Sequence, residues 1–107
     1  MTTFEEREKA AESKFARDEE AHFLARARRD KLVGEWAGGK LGLSPADTEA
    51  YGKALVLVDL EHYGDDDIIA KLKADFTAKQ IAVTENQIIQ VLQEKMIEAE
   101  KLVKAGL

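Results

Sequence analysis

Between Phe4 and about Leu41 the chain holds no proline, and no glycine before Gly34, while strong helix formers fill the interval. Such a run admits one long helix or two collinear ones and excludes the turn-punctuated pattern of an all-β domain. Its two halves differ. Up to about residue 19 only Phe4, Phe15 and a few alanines are apolar, too little to anchor the segment on a core. A segment of that kind is expected to be marginally helical, or disordered when free. The second half carries Phe23, Leu24, Ala27, Leu32, Val33, Trp36, Ala37 and Leu41, enough apolar surface to pack. The expected organisation is therefore an N-terminal segment, residues 1–19, and a folded domain, residues 20–107.

The remaining elements follow from local signals. Gly38, Gly39 and Gly42 should weaken or end the first helix. Ser44-Pro45-Ala46-Asp47 then combines an N-cap serine, a proline at the first helical position and a carboxylate in the first turn, which opens a second helix expected to reach about Tyr63. Its Ala54 to Leu60 stretch is apolar nearly all round and suits a central helix. Gly64 stops it, and Asp65 to Asp67 read as the cap and acidic first turn of a short third helix with Ile68, Ile69, Leu72 and Phe76 inward. After an extended link at 81–83, Thr84-x-x-Gln87 is a capping box. The fourth helix it opens has Ile88, Ile89, Leu92, Met96, Ala99 and Val103 on one side. Four helices with short turns predict an all-α, compact four-helix bundle with a flexible N-terminal segment.

A chain of 107 residues with one core has no room for a deep cleft between domains. It has no cysteine, which removes disulfides, thiolate metal sites and cysteine nucleophiles. The longest apolar run, Ala54 to Val58, is far too short to span a membrane, and the charged N-terminus is unlike a signal peptide; a cytoplasmic, monomeric protein is expected. Residues 1–40 balance nine basic against nine acidic side chains, while residues 41–107 carry seven against twelve. That acidity argues against nucleic acid as a partner.

No catalytic arrangement stands out, and enzyme activity is not expected. Glu19-x-x-His22 has metal-ligand spacing, but a carboxylate-bridged bundle needs two such motifs and this chain has one; a solvated charged face is the better reading. His62 followed by Asp65, Asp66 and Asp67 lacks the glycine and glutamate of a calcium loop and reads as helix capping. Arg26, Arg28, Arg29 and Lys31 form a basic cluster, a candidate site for a nucleotide or other anion such as weakly bound ATP or ADP. Ion pairing along the helix with Glu19, Glu20, Asp30 and Glu35 is the competing account. Trp36 at this spacing reads as core.

The blocks Phe15-Ala-Arg-Asp-Glu-Glu20, Ala27-Arg-Arg-Asp-Lys-Leu-Val-Gly-Glu-Trp-Ala37 and Lys40-Leu-Gly42 resemble the zeta subunit, the ATPase inhibitor of alphaproteobacterial F1Fo ATP synthases. The resemblance spans essentially the whole chain. It implies a small four-helix protein, with no cofactor, that inhibits ATP hydrolysis and sits peripheral to the inner membrane through the F1 head. A second similarity, of Phe4, Arg7, Glu8, Ala10, Glu12 and Phe15 to the inhibitory helix of the mitochondrial inhibitor, implies a helix inserted between catalytic and non-catalytic subunits. The implied partners are the alpha, beta and gamma subunits of F1. On this reading Phe4 and Phe15, eleven residues apart and so nearly on one face, are apolar anchors. Glu5, Arg7, Glu8, Ala11, Glu12, Lys14 and Asp18 complete the expected contact set. Other readings are a helical nucleotide-binding or sensing module and a non-inhibitory assembly factor.

Overall fold

A computed structural model describes the backbone of residues 4–62 and 64–107 and the side chains of 19–62 and 64–107. The contact residues from Phe4 to Asp18, and the expected behaviour of that segment when free, lie outside the described side chains. Four helices form, α1 (Phe4–Leu41), α2 (Pro45–Glu61), α3 (Asp66–Ala78) and α4 (Glu85–Lys104), with no strand among the described residues.

The caps behave as the local chemistry requires. Ser44 Oγ accepts from Asp47 N at 3.1 Å and starts α2, and Thr84 and Gln87 close both halves of the capping box of α4. The first helix runs through Gly38 and Gly39 and stops at Leu41. Gly42 takes φ +71° there, so that Leu43 N reaches Gly38 O and Gly42 N reaches Gly39 O. This left-handed stop satisfies two terminal carbonyls. Lys79 Nζ donates to a third, Leu41 O, at 3.0 Å.

The centre of the bundle is α1, not α2 as the apolar run at 54–60 suggested. Helix α2 lies antiparallel on one side of it, with Arg26 beside Asp59 at one end and Gly38 beside Thr48 at the other. Helix α4 lies antiparallel on another side, with its residues 100–104 flanking Ala21 to Ala25. Because α2 contacts α1 through one stripe, Leu57 and Leu60 of its apolar run face solvent. The α1–α2 crossing is close. A Cβ on Gly34 would stand 2.9 Å from Gly52 N and nearer still to Gly52 Cα, so backbone meets backbone.

Val33, Ala37 and Leu41 of α1, Leu55 of α2, Ile68, Leu72 and Phe76 of α3, and Ile88 and Leu92 of α4 form the core. Each large aliphatic or aromatic member contributes about 1.5–3 kcal/mol through burial. Trp36 sits at the edge of this cluster, half-buried, with its ring 5.4 Å from that of Phe76 in an edge-to-face arrangement. Tyr51 donates to Asp75 Oδ2 at 2.7 Å and ties α2 to α3. Three expected core residues are not core: Phe23, Leu24 and Ile89 are exposed, because α1 and α4 present them outside the stripes their neighbours cover.

Candidate functional site

The basic cluster read from the sequence becomes, in three dimensions, a clasp of alternating charge. Arg26 and Arg29 stand on the α1 face that meets the end of α2 and the α2–α3 turn. Arg26 forks onto Asp59, from Nε at 3.2 Å and Nη2 at 2.5 Å, and Nη2 also reaches Asp65 Oδ1 at 3.1 Å and Gly64 O at 3.5 Å. Arg29 donates from Nε and Nη2 to Asp30 Oδ1 at 3.0 and 2.9 Å, and from Nη1 to Asp65 Oδ1 at 2.9 Å. Forked guanidinium–carboxylate pairs of this kind are the strongest ordinary ionic hydrogen bonds.

Burial gives the clasp its character. Arg29 is 3% exposed and Asp30 is 1% exposed. Desolvation first, and then the neighbouring Asp59, push the Asp30 carboxyl up to about 7 against the pull of Arg29. Burial alone would raise Asp59 too. There, hydrogen bonds from Arg26 and Asp30 and the charge of both guanidiniums prevail and hold the carboxyl below the usual aspartate range. Arg26 is raised in turn, chiefly by its hydrogen bond to Asp59.

The arrangement revises two sequence readings. Asp65 occupies the N-cap position of α3, yet its side chain makes no capping bond and is held by Arg26 and Arg29 instead. Asp66 and Asp67 do supply the acidic first turn. Helix α2 ends at Glu61, short of Tyr63, and His62 continues in an extended conformation. The ion pairs of Arg26 reach residues 33 and 39 positions away in sequence. They are tertiary rather than one helical turn apart, and α1 positions Arg26 and Arg29 one turn apart to make them.

The four candidate anion-binding residues are not gathered at one point. An anion reaching Arg26 or Arg29 competes with Asp59 and Asp65. Arg28 is exposed, and Lys31 is exposed beside a different groove, shared with Glu35, Thr48 and Glu49. Glu19 and His22 are exposed and border a groove of about 320 Å³ between α1 and α2, where Phe23 and Leu60 show apolar surface 53% and 56% exposed. Asp30 was among the expected partners of the arginines, whereas Asp59 and Asp65 were missed. One signal was present: Asp59 interrupts an otherwise apolar stretch, and a lone carboxylate there calls for a buried cation.

Among the described residues no helix is long and apolar enough to cross a membrane. A family model described as ATPase inhibitor subunit zeta matches residues 1–101. One similar solved structure, titled a solution NMR structure of the protein, is 30% identical over 79% of this chain and 96% of that chain, with a TM-score of 0.69. No curated protein matches.

Proposed function

Since the chain belongs to the family of ATPase inhibitor subunit zeta, an inhibitor associated with ATP synthase, we propose that it acts through the N-terminal part of α1. That part enters the F1 head between a catalytic and a non-catalytic subunit and blocks the rotation that ATP hydrolysis drives. The bundle serves as its rigid base, and the protein has no catalytic step of its own.

The observation that carries this reading is how far the bundle extends along α1. Asp59, near the end of α2, stands at Arg26, and the last turn of α4 flanks Ala21 to Ala25. Glu19 and Glu20 are already exposed. The partner helices therefore run out near residue 21, and the fifteen residues 4–18 continue α1 by about 22 Å at 1.5 Å per residue. Phe4 and Phe15 are the anchors, and Glu5, Arg7, Glu8, Ala11, Glu12, Lys14 and Asp18 meet the alpha, beta and gamma subunits. A segment with few apolar residues gains its order from the partner, at a cost in ordering that interface contacts offset.

The test is ATP hydrolysis by purified F1 titrated with the full chain and with a chain lacking residues 1–18. Saturable inhibition by the first and none by the second, with both helical by circular dichroism, is expected. Equal inhibition by the two would overturn the mechanism, and binding without any inhibition would favour an assembly role.

A further inference from the structure

We propose that the Asp30–Asp59 carboxyl pair holds one proton at neutral pH, and that losing it loosens the clasp between α1, the end of α2 and the α2–α3 turn. The inference concerns the folded domain and stands apart from the choice of partner.

Geometry leads to it. Asp30 has no exposed side-chain surface, and while its Oδ1 receives two N–H groups from Arg29, its Oδ2 is buried with no donor among the described residues. Buried carboxylate oxygens are otherwise satisfied. Across the helix interface Asp59 borders the same groove as Asp30. Arg29 Nη2 lies 2.9 Å from Asp30 Oδ1 and 3.7 Å from Asp59 Oδ2, so the two carboxyls flank one guanidinium; an ionised Asp59 can only accept. A proton on Asp30 turns the orphaned oxygen into a donor to Asp59 and satisfies both.

The charge balance agrees. Facing this pair are Arg26 and Arg29 from α1, Asp59 from α2 and Asp65 from the turn; Glu19 and His22 border the adjoining groove. Helix α4 brings Leu92, Gln93 and Met96 to the far side of the arginines, none of them charged. Among the described residues, two guanidiniums against three carboxylates leave one negative charge in excess, and the proton cancels it. Without the proton, the cluster keeps one negative charge in excess, and Asp30 Oδ2 is left buried and unmatched although Oδ1 is paired with Arg29. The relief available is separation of α1 from α2 and the turn, which admits water.

The direction of the linkage follows. Burial and the Asp59 neighbour place Asp30 at about 7, while an unfolded chain releases that proton near 4. Between those values the folded protein holds one proton more, so its unfolding constant rises about tenfold per pH unit and levels off above about 7. Asp59, held low, acts in the opposite sense only below the usual aspartate range and leaves the interval from pH 5 to 7 undisturbed.

The experiment follows the Asp30 Cγ resonance of the full chain by NMR from pH 4 to 9, with urea unfolding at pH 5, 6, 7 and 8 for the wild type and Asp30→Asn. The asparagine keeps the shape of the protonated acid and donates to Asp59. A Cγ midpoint near neutrality is expected, with a ratio of wild-type to variant unfolding constants that climbs about tenfold per unit up to pH 7. A midpoint near 4, or a flat ratio, overturns the proposal. Should Asp30→Asn fail to fold, the wild-type Cγ titration and its repeat in Asp59→Asn decide. The midpoint must fall once the like charge is removed, and an unmoved midpoint refutes the shared proton.

Discussion

Replacing Gly34 by alanine tests whether α1 and α2 touch backbone to backbone. In an open helical position the change stabilises by about 1 kcal/mol, because alanine is the better helix former. At Gly34 the added Cβ overlaps Gly52 Cα and lies 2.9 Å from Gly52 N, against a carbon contact optimum of about 3.5–4.0 Å. Both obstructing atoms are main chain and cannot swing aside. The helices must part by roughly 1 Å, a gap that forfeits a quarter to a half of each contact along the seam, including those of Val33 and Leu55. Overpacking of this order costs about 1–3 kcal/mol or somewhat more. Gly34→Ala is therefore expected to lose about 2 kcal/mol net. Two internal controls fix the interpretation. A Cβ at Gly39 meets nothing within 4 Å, so Gly39→Ala should gain about 1 kcal/mol. At Gly52 the nearest atoms are Lys31 Cα and O at 3.4 and 3.5 Å, so Gly52→Ala should be close to neutral. Urea unfolding read by Trp36, the single tryptophan, gives all three values, and an unchanged slope with denaturant confirms that stability alone has moved. If Gly34→Ala matched or exceeded the wild type, the close crossing would be wrong.

Gln80 sits at φ +59° just past α3, where its own N–H reaches Thr77 O and the following Ile81 N–H reaches Phe76 O. A left-handed non-glycine residue costs about 1–2 kcal/mol, partly offset in glycine by unfolded-state entropy, so Gln80→Gly should raise stability by about 1 kcal/mol in thermal melts. Asp65→Ala removes an acceptor shared by two guanidiniums and should cost about 2 kcal/mol in urea titration. Asp66→Ala removes only a first-turn charge and should cost under about 1 kcal/mol; equal losses would restore Asp65 to a capping role.

What the sequence disclosed and what it withheld separate along a physical line. Ser44, Pro45, the Thr84–Gln87 box and Gly42 act within one turn of their own positions, so their outcomes were legible: the end of α1 and the starts of α2 and α4 fell where local chemistry put them. Which helix is central was not local. The stretch at 54–60 is more apolar than anything in α1, but α1 carries Gly34 at a crossing where Gly52 faces it, and close approach, not hydrophobicity, decides which element the others gather round. Phe23, Leu24, Leu57 and Leu60 remain outside for the same reason: the stripe that a close crossing covers is narrow.

The arginines show the limit from the other side. Helical spacing offered Arg26 and Arg29 acidic neighbours along α1, and an exposed pair of that kind is worth about 0.3–0.5 kcal/mol. The structure spends Arg26 on Asp59 and Asp65, across helices, and Arg29 on Asp65 and on its buried neighbour Asp30, where a forked pair is stronger but an unmatched partner is costly. Only the tertiary arrangement reveals that three carboxylates share two cations, and that the deepest of them, Asp30, has one oxygen, Oδ2, without a donor among the described residues. The same cluster closes the bundle at the point where α1 leaves it. The strength of that closure sets how firmly the bundle holds the helix whose outer part, on the reading above, meets the ATPase.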